Sequence, residues 1–492
     1  MKILLVQPAP YENGRIGLET ALWMSEPAAL TALAAMVEGE HEVRIVDMRV
    51  EPADVLPRVL AEYRPHVLGV TAMTTDAYQA QAVALCAKSI LGDAVFTILG
   101  GHHPTLMPGD HDQPYIDAVC IGEGEETFQE VVAHLAAGRA RDEMAGIAGL
   151  RIRVGQEVRT TPARSQAREL DSFPAPARHL VAHYAHEYFF AAANGIASIQ
   201  TSRGCAFDCN FCAIWEFYER KVRFLSARAI VDRMEAATER FIMFLDDNFL
   251  THRQRLEELV DEIERRGVRK YWMIQGRTDF IVKNADLMQR LRDAGLMMVL
   301  SGYESNEDDT LAALQKDNSK ANNLEAAHIL RELGILSMGI FMVHPDWEER
   351  QFDQLYETIN QMRITMPMVV IHMPLPGTQA WREHGDELLT RDARFFDLLH
   401  AVTPTRLTRR RFYEKYAEWN GATMKSTRGS LTPAFLLKRP ALMLRLALGY
   451  RKLEKKSKKL RRAIGDPENF LRDEYEIVGR DLETPTPAEL VA

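Results

Sequence analysis

The chain predicts an α/β protein in three parts. These are a doubly wound parallel sheet over residues 1–150, a partial (β/α)6 barrel over 191–400 reached through a linker at 151–190, and a helical extension over 401–492. Three observations carry that expectation. Short apolar runs alternate with amphipathic stretches through the first 150 residues, the pattern of parallel strands wrapped in helices. A second strand–helix series begins near Ile196 and repeats six times. From about residue 401 the alternation gives way to helical, more basic sequence.

The N-terminus MKILLVQPAP has one lysine and an apolar run that stops at Pro8, so Lys2–Gln7 reads as a buried strand and not as a signal peptide. Further strands are expected at Glu42–Val46, Val67–Thr71, Val95–Leu99 and Ala118–Ile121, with helices at Pro27–Val37, Asp54–Tyr63 and Asp76–Leu91. Open sheets of this kind bind ligands outside the carboxyl ends of their strands. Two loops stand there, Gly100-Gly101-His102-His103-Pro104-Thr105 and Gly122-Glu123-Gly124-Glu125-Glu126. Paired glycines let backbone approach a ligand closely, although tight turns use them as readily.

A connector follows, with a β-like Leu150–Val154 and the proline-bearing LDSFPAPARHL at Leu170–Leu180. Barrel strands are expected at Ser198–Ser202, Phe241–Leu245, Tyr271–Gln275, Met298–Ser301, Ser337–Val343 and Met368–Met373. Beyond the barrel, Leu431–Tyr450 is apolar but broken by Lys438, Arg439, Pro440 and Arg445. It leads into RKLEKKSKKLRR at Arg451–Arg462, and the last twelve residues read as a frayed tail.

Composition narrows the function classes. Hydrophobic residues make up 46% and charged residues 26%, an ordinary globular balance. The net charge of −9 argues against general nucleic-acid affinity. Five cysteines, three of them clustered, form no disulfide framework, so a reducing cytoplasm is the natural compartment. No eighteen apolar residues run uninterrupted, which speaks against a membrane span.

The clustered cysteines are Cys205, Cys209 and Cys212, in TSRGCAFDCNFCAIWEFY after the first barrel strand, on the face where barrel active sites assemble. Three thiolates at C-x3-C-x2-C spacing can hold three irons of a 4Fe–4S cube, whereas a closed cluster takes four cysteines. Cys86 and Cys120 are remote, so one iron is left open. A zinc knuckle would want a fourth Cys or His nearby, and the nearest histidine, His186, lies well upstream. The triplet, with Phe211 before its last cysteine, resembles the pattern of radical S-adenosylmethionine (SAM) enzymes.

Placed after a doubly wound domain, this motif makes the chain resemble the cobalamin-dependent radical SAM enzymes, most of all the hopanoid C-3 methylases. GCAFDCNFCAIWEFYERKVRF, PDWEERQF, PLPGTQAW and LTRDARFFDLLHAVTPTRL carry the likeness. Related anaerobic magnesium-protoporphyrin ester cyclases share parts of them. The resemblance implies that residues 1–150 form a Rossmann-like domain binding cobalamin at Thr71, Gly100, Gly101, His102, Gly122, Glu123 and Gly124. The chain lacks the Asp-x-His-x-x-Gly motif of many cobalamin proteins, which implies base-off binding and leaves the lower cobalt ligand open. His102 and His103 read more simply as loop residues than as metal ligands.

In the barrel the resemblance implies SAM contacts at Phe211, Asp246, Gln275, Arg277 and Glu304. An arginine suits the methionine carboxylate, and Glu304 matches an acid that binds the ribose hydroxyls. Asp247 and Asn248 stand beside Asp246, where helix caps are the competing role. Trp215, Phe217 and Tyr218 are read as packing around the cluster loop, with cofactor stacking as the alternative. The activity implied is methylation of an unactivated sp3 carbon on a hydrophobic substrate, hopanoid or otherwise polycyclic, through a 5′-deoxyadenosyl radical and methylcobalamin. The cofactors carry the hard chemistry, so no catalytic triad or carboxylate pair is sought. A flavodoxin- or ferredoxin-type protein would supply electrons. Oxidative cyclisation and a non-catalytic cobalamin or iron–sulfur sensor remain as alternatives. A methylthiotransferase is excluded, because Cys86 and Cys120 cannot furnish three further ligands. The apolar and basic C-terminal segment suits an amphipathic helix at an anionic membrane, or a solvated helix over the barrel mouth.

Overall fold

The computed structural model describes residues 1–10, 22–167, 169–448 and 464–471, with Lys458 and Arg462. Its first sheet contains β1 (Lys2–Gln7), β3 (Glu42–Asp47), β4 (Val67–Thr71), β5 (Phe96–Gly100), β6 (Ala118–Cys120), β7 (Leu150–Val154) and β8 (Glu157–Thr160). The strand order is β3-β1-β4-β5-β6-β7-β8. The first five run parallel, and β7 and β8 are antiparallel additions. The two-residue period sends alternate side chains to opposite faces. Ile3, Leu5, Val67 and Ile98 pack with Leu30, Phe128 and Val131 on one side. Leu4, Val6, Leu68 and Leu99 pack with Leu56, Leu60 and Ala84 on the other.

The boundary drawn at residue 150 therefore falls inside a sheet. Leu150–Val154, expected in the linker, pairs with β6 through Ala118↔Ile152 and closes the sheet's edge. The linker contributes more than a tether. β2 (Trp23–Met24), β9 (Phe189–Phe190) and β10 (Ala193–Asn194) form a small sheet of their own, with Trp23 opposite Phe190. Glu26 accepts hydrogen bonds from Arg178 Nη2 at 2.7 Å and from the Ser198 amide at 3.0 Å, joining the first domain, the linker and the barrel's first strand.

The barrel is a six-stranded parallel sheet, β11 (Ile196–Ile199), β14 (Phe241–Phe244), β15 (Tyr271–Gln275), β16 (Leu296–Glu304), β17 (Leu336–Val343) and β18 (Met366–Ile371), in that order. A hairpin of β12 (Ser202–Arg203) and β13 (Arg223–Phe224) flanks the cysteine loop. Ile242, Trp272 and Val299 pack outward onto the helices Arg253–Arg266 and Ala285–Asp293. On the opposite face Met243, Met273 and Met298 stand side by side in strand register.

The helix Arg409–Ser430 lies against Glu349–Met362, where Arg411 Nε meets Glu349 Oε1 at 2.7 Å and Tyr416 Oη donates to the Val369 carbonyl at 2.8 Å. Pro433–Leu437 and a helix at 440–448 follow. Most of the Arg451–Arg462 run and the last twelve residues, expected as a basic segment and a frayed tail, lie outside the described residues.

Candidate functional site

The cysteine loop leaves β12 through Gly204, at φ +93°. A Cβ there would stand 2.1 Å from the Lys221 carbonyl oxygen, so only glycine makes this bend. The Cys212 amide donates to the Cys209 carbonyl at 3.1 Å, and Trp215 Nε1 donates to the same oxygen at 3.0 Å. Trp215 thus packs the loop. Burial raises the pKa of all three thiols, Cys212 to about 12, and each feels the charge of its neighbours. Lys316 and Arg277 oppose that rise at Cys209. Bound iron deprotonates such thiols outright. Among the described residues no three His, Cys, Asp or Glu side chains close around a single metal ion. The donor set is three soft sulfurs with two cations beside them, which suits an anionic iron–sulfur cluster.

The strand ends of the barrel surround this loop. Phe211 packs against Leu314, Met342 and Val370. Glu304 ends β16 in the left-handed region at φ +59° and pairs with Lys316 Nζ at 2.7 Å, both side chains buried. Gly302 makes room for it, since a Cβ there would lie 2.1 Å from Glu304 Oε1. Arg277 spends Nε on Asp279 at 2.9 Å and Nη2 on the Asp317 carbonyl at 2.6 Å, with its guanidinium 3.5 Å from the Phe207 ring centroid. The fork expected for a carboxylate is partly engaged within the protein. Gln275 ends β15 half-buried, its carbonyl accepting from the Phe249 amide at 2.9 Å.

Asp246 faces the cysteine loop's stem. It is fully buried, and its carboxylate accepts from the Thr201 amide at 2.6 Å, the Ser202 amide at 2.8 Å and the Thr201 hydroxyl. Those bonds engage both oxygens in holding the stem of the cysteine loop, a role other than the SAM contact expected of it. Asp247 accepts from the Gly204 amide at 3.2 Å, and burial lifts its pKa to about 6. Asn248 is 3% exposed and neither end of its amide has a protein partner. An orphaned buried amide of this kind marks a place for a ligand or an ordered water.

Across from the loop lie the ends of β4, β5 and β6. His102 stacks on Phe217 with centroids 5.8 Å apart and planes 4° from parallel, and burial lowers its pKa to about 4. His103 is locked into the fold between Thr74 and Asp110, at 3.3 Å from each. The two strand-end glycines differ in kind. A Cβ on Gly101 would meet Thr71 Oγ1 at 2.7 Å and the Ala72 carbonyl at 2.9 Å, so the neighbouring loop already forbids one. Gly122, at φ +84°, faces open space. A Cβ on Gly100 or on Gly124 would stand 3.5 Å from the Cys120 side chain.

Glu123 is drawn toward the barrel. Its carboxylate, expected at the cobalamin surface, is engaged by Arg203 and Arg223 of the barrel, and the residue borders the cavity beside Gly122. Burial raises its pKa, but the hydrogen bond from Arg223 and the two positive charges outweigh that and leave it lowered. A cavity of about 520 Å³ opens where these loops meet the barrel, lined by Thr105, Met107, Gly122, Phe217 and Trp381 among others. Open space at Gly122 beside a cavity that mixes apolar and aromatic walls with charged ones such as Arg164, Glu216 and Arg382 fits the approach of a large ring cofactor with polar substituents. Arg203, Arg223 and Lys316 escaped the sequence reading, because a basic residue, even inside a motif as Arg203 and Arg223 are, carries no signal of a partner far away in the chain.

Residues 14–132 match the family described as B12 binding domain, and residues 199–359 match the radical SAM superfamily. The hopanoid C-3 methylase of Methylococcus capsulatus is 30% identical over 452 residues, spanning 88% of this chain and 84% of its own. An anaerobic magnesium-protoporphyrin IX monomethyl ester cyclase of Rubrivivax gelatinosus is 27% identical over 418 residues, 82% of this chain and 73% of its own. In overall fold the chain is similar to the cobalamin-dependent SAM radical enzyme OxsB, with TM-score 0.68 at 15% identity over 96% of this chain and 78% of that one. It is likewise similar to the radical SAM methyltransferase TsrM of Kitasatospora setae, with TM-score 0.65 at 18% identity over 94% and 99%.

Proposed function

The chain belongs to the cobalamin-dependent radical SAM enzymes, and from that premise we propose that it methylates an unactivated sp3 carbon of an apolar polycyclic substrate of the hopanoid class. One observation carries the reading: a three-cysteine loop and the strand ends of the B12-type sheet face each other, joined by His102 on Phe217. When bound, the cluster supplies an electron to the SAM sulfonium and cobalamin carries the methyl group. Cys205, Cys209 and Cys212 hold the cluster, while Lys316 and Arg277 place positive charge beside it. Glu304, Gln275 and Phe211 border the SAM position. Thr71, Gly100, His102 and Gly122 offer the strand-end surface for cobalamin. A ferredoxin- or flavodoxin-type donor provides the electron.

One feature supports the substrate class. At the C-terminus, Leu437, Leu444 and Leu448 are 73%, 69% and 81% exposed. They precede Arg451–Arg462, with eight basic residues against one acidic. Exposed leucines followed by such a run suit peripheral contact with an anionic membrane, where a triterpenoid resides. No helix among the described residues is long and apolar enough to cross a membrane.

The test is anaerobic turnover with SAM carrying a deuterated methyl group and a hopanoid-containing lipid extract. S-adenosylhomocysteine and 5′-deoxyadenosine are expected together, with the label in the product. The likeness to ester cyclases supports a second reading, oxidative cyclisation. Deoxyadenosine and a modified product without label would reject the methylase reading in its favour.

A further inference from the structure

Four buried charges meet where the first sheet touches the cysteine loop. Glu123 Oε1 accepts from Arg203 Nη1 at 3.0 Å and Arg223 Nη2 at 2.6 Å, and its Oε2 accepts from Arg223 Nη1 at 2.9 Å. Glu125, two residues on, takes the other amino group of Arg203. All four side chains are 9–12% exposed. Arg203 and Arg223 oppose one another in the β12–β13 pair, an arrangement in which like charges repel. Their repulsion is cancelled by carboxylates that come from the other domain.

The placement matters because the barrel end of this network has little slack. Glu123 lies between Gly122 and Gly124, in the loop at the end of β6. Arg203 is two residues from Cys205, and the intervening Gly204 is wedged against the Lys221 carbonyl and tied to Asp247. A shift of the Arg203 backbone therefore has few soft torsions to absorb it before it reaches the first cysteine. Buried ion networks add little stability over apolar packing of the same shape, and their best-attested role is to fix register.

We propose that Glu123, with Arg203, Arg223 and Glu125, is a positioning residue that sets the separation between the cobalamin-binding loop and the cluster loop. This rests on the assignment of the cluster to Cys205, Cys209 and Cys212 and of cobalamin to the strand ends of the first sheet. The Glu123 carboxylate is taken up by the two guanidinium groups, so Glu123 acts through Arg203. The network replaces a covalent tie between domains with a charge-balanced one, whose geometry two guanidinium forks define.

The experiment uses the full chain loaded with both cofactors. Iron and cobalt contents are measured first. Pulsed electron paramagnetic resonance then reads the dipolar coupling between cob(II)alamin and the reduced cluster. Wild type is expected to give one narrow distance distribution. Glu123→Gln, which keeps volume and removes charge, is expected to broaden and shift it at full metal content. Arg220→Gln, which breaks an exposed ion pair to Asp208 in the same loop, is expected to leave it unchanged. A wild-type distribution in E123Q overturns the proposal. If E123Q loses a cofactor, Glu125→Gln, which frees one arm of Arg203, is read by the same criterion. Full metal content with no coupling in wild type would instead refute the placement of the cofactors, and the proposal with it.

Discussion

Removing one partner of the buried Lys316–Glu304 pair is the most informative single perturbation of the barrel. The two charges sit 2.7 Å apart, with side chains 10% and 6% exposed. Their gross attraction is about 6 kcal/mol at an effective dielectric of about 20. Much of that offsets the cost of taking both ions out of water. Lys316→Met keeps the length of the stem and strands Glu304 as an uncompensated buried carboxylate, at a cost of about 3–5 kcal/mol. Glu304 also carries left-handed strain of about 1–3 kcal/mol, which the pair helps to hold in place. The double variant Lys316→Met/Glu304→Gln removes the stranded charge and should cost less than Lys316→Met alone. Urea unfolding of the cluster-free protein, followed by hydrogen exchange in β16, measures this without invoking catalysis. A Lys316→Met variant within about 0.5 kcal/mol of wild type, the range of an ordinary surface change, would refute the argument. So would a double variant whose cost equals the sum of the singles.

Replacing Cys205, Cys209 and Cys212 together with Ala should abolish iron binding and the visible charge-transfer band, and retention of about four irons per chain would sink the assignment. Gly122→Leu should lower cobalamin content at a modest cost to the apo protein's melting temperature, because φ +84° disfavours a side chain by about 1–2 kcal/mol even where space is open. Gly101→Leu should lower the melting temperature before any cofactor is added, because Thr71 and Ala72 already fill the space; equal apo stability of the two would contradict this. Leu437, Leu444 and Leu448 changed to Ser should each remove about 1–2 kcal/mol of interfacial burial, so sedimentation with anionic vesicles falls about a hundredfold or more. Wild-type protein that ignores anionic vesicles at low salt would end the membrane reading.

Much of this architecture was legible because strand burial writes itself into composition. Lys2–Gln7 and Tyr271–Gln275 coincide with their expected ranges, since both are short apolar runs bounded by polar residues. The joints were not legible. Trp23–Met24 and Phe189–Phe190 are strands of two residues with no period to detect. Leu150–Val154 looked like a strand, but the sheet it joins depends on β6, thirty residues earlier. At the site, residue type located the carboxylates without saying which way they turn. Asp246 and Glu123 lie where cofactor contacts were expected, yet their oxygens are taken by Thr201 and Ser202 and by Arg203 and Arg223. A hydrogen bond between residues 45 or 80 positions apart leaves no local trace in the chain.

The strap of Trp23–Met24 against Phe189–Phe190 bears on how the molecule is made. Its two halves flank nearly the whole first sheet in the chain, and Glu26, beside the earlier half, holds the amide of Ser198 in the barrel's first strand. Domains emerging from the ribosome fold in order, amino-terminal first. The barrel thus begins to form on a surface that is already finished, with one side of its seam waiting. A barrel expressed alone from residue 191 would start without that template and without Phe189 and Phe190, which are 1% and 2% exposed in the whole chain. The two halves of this enzyme are stages of one assembly and not modules to be exchanged.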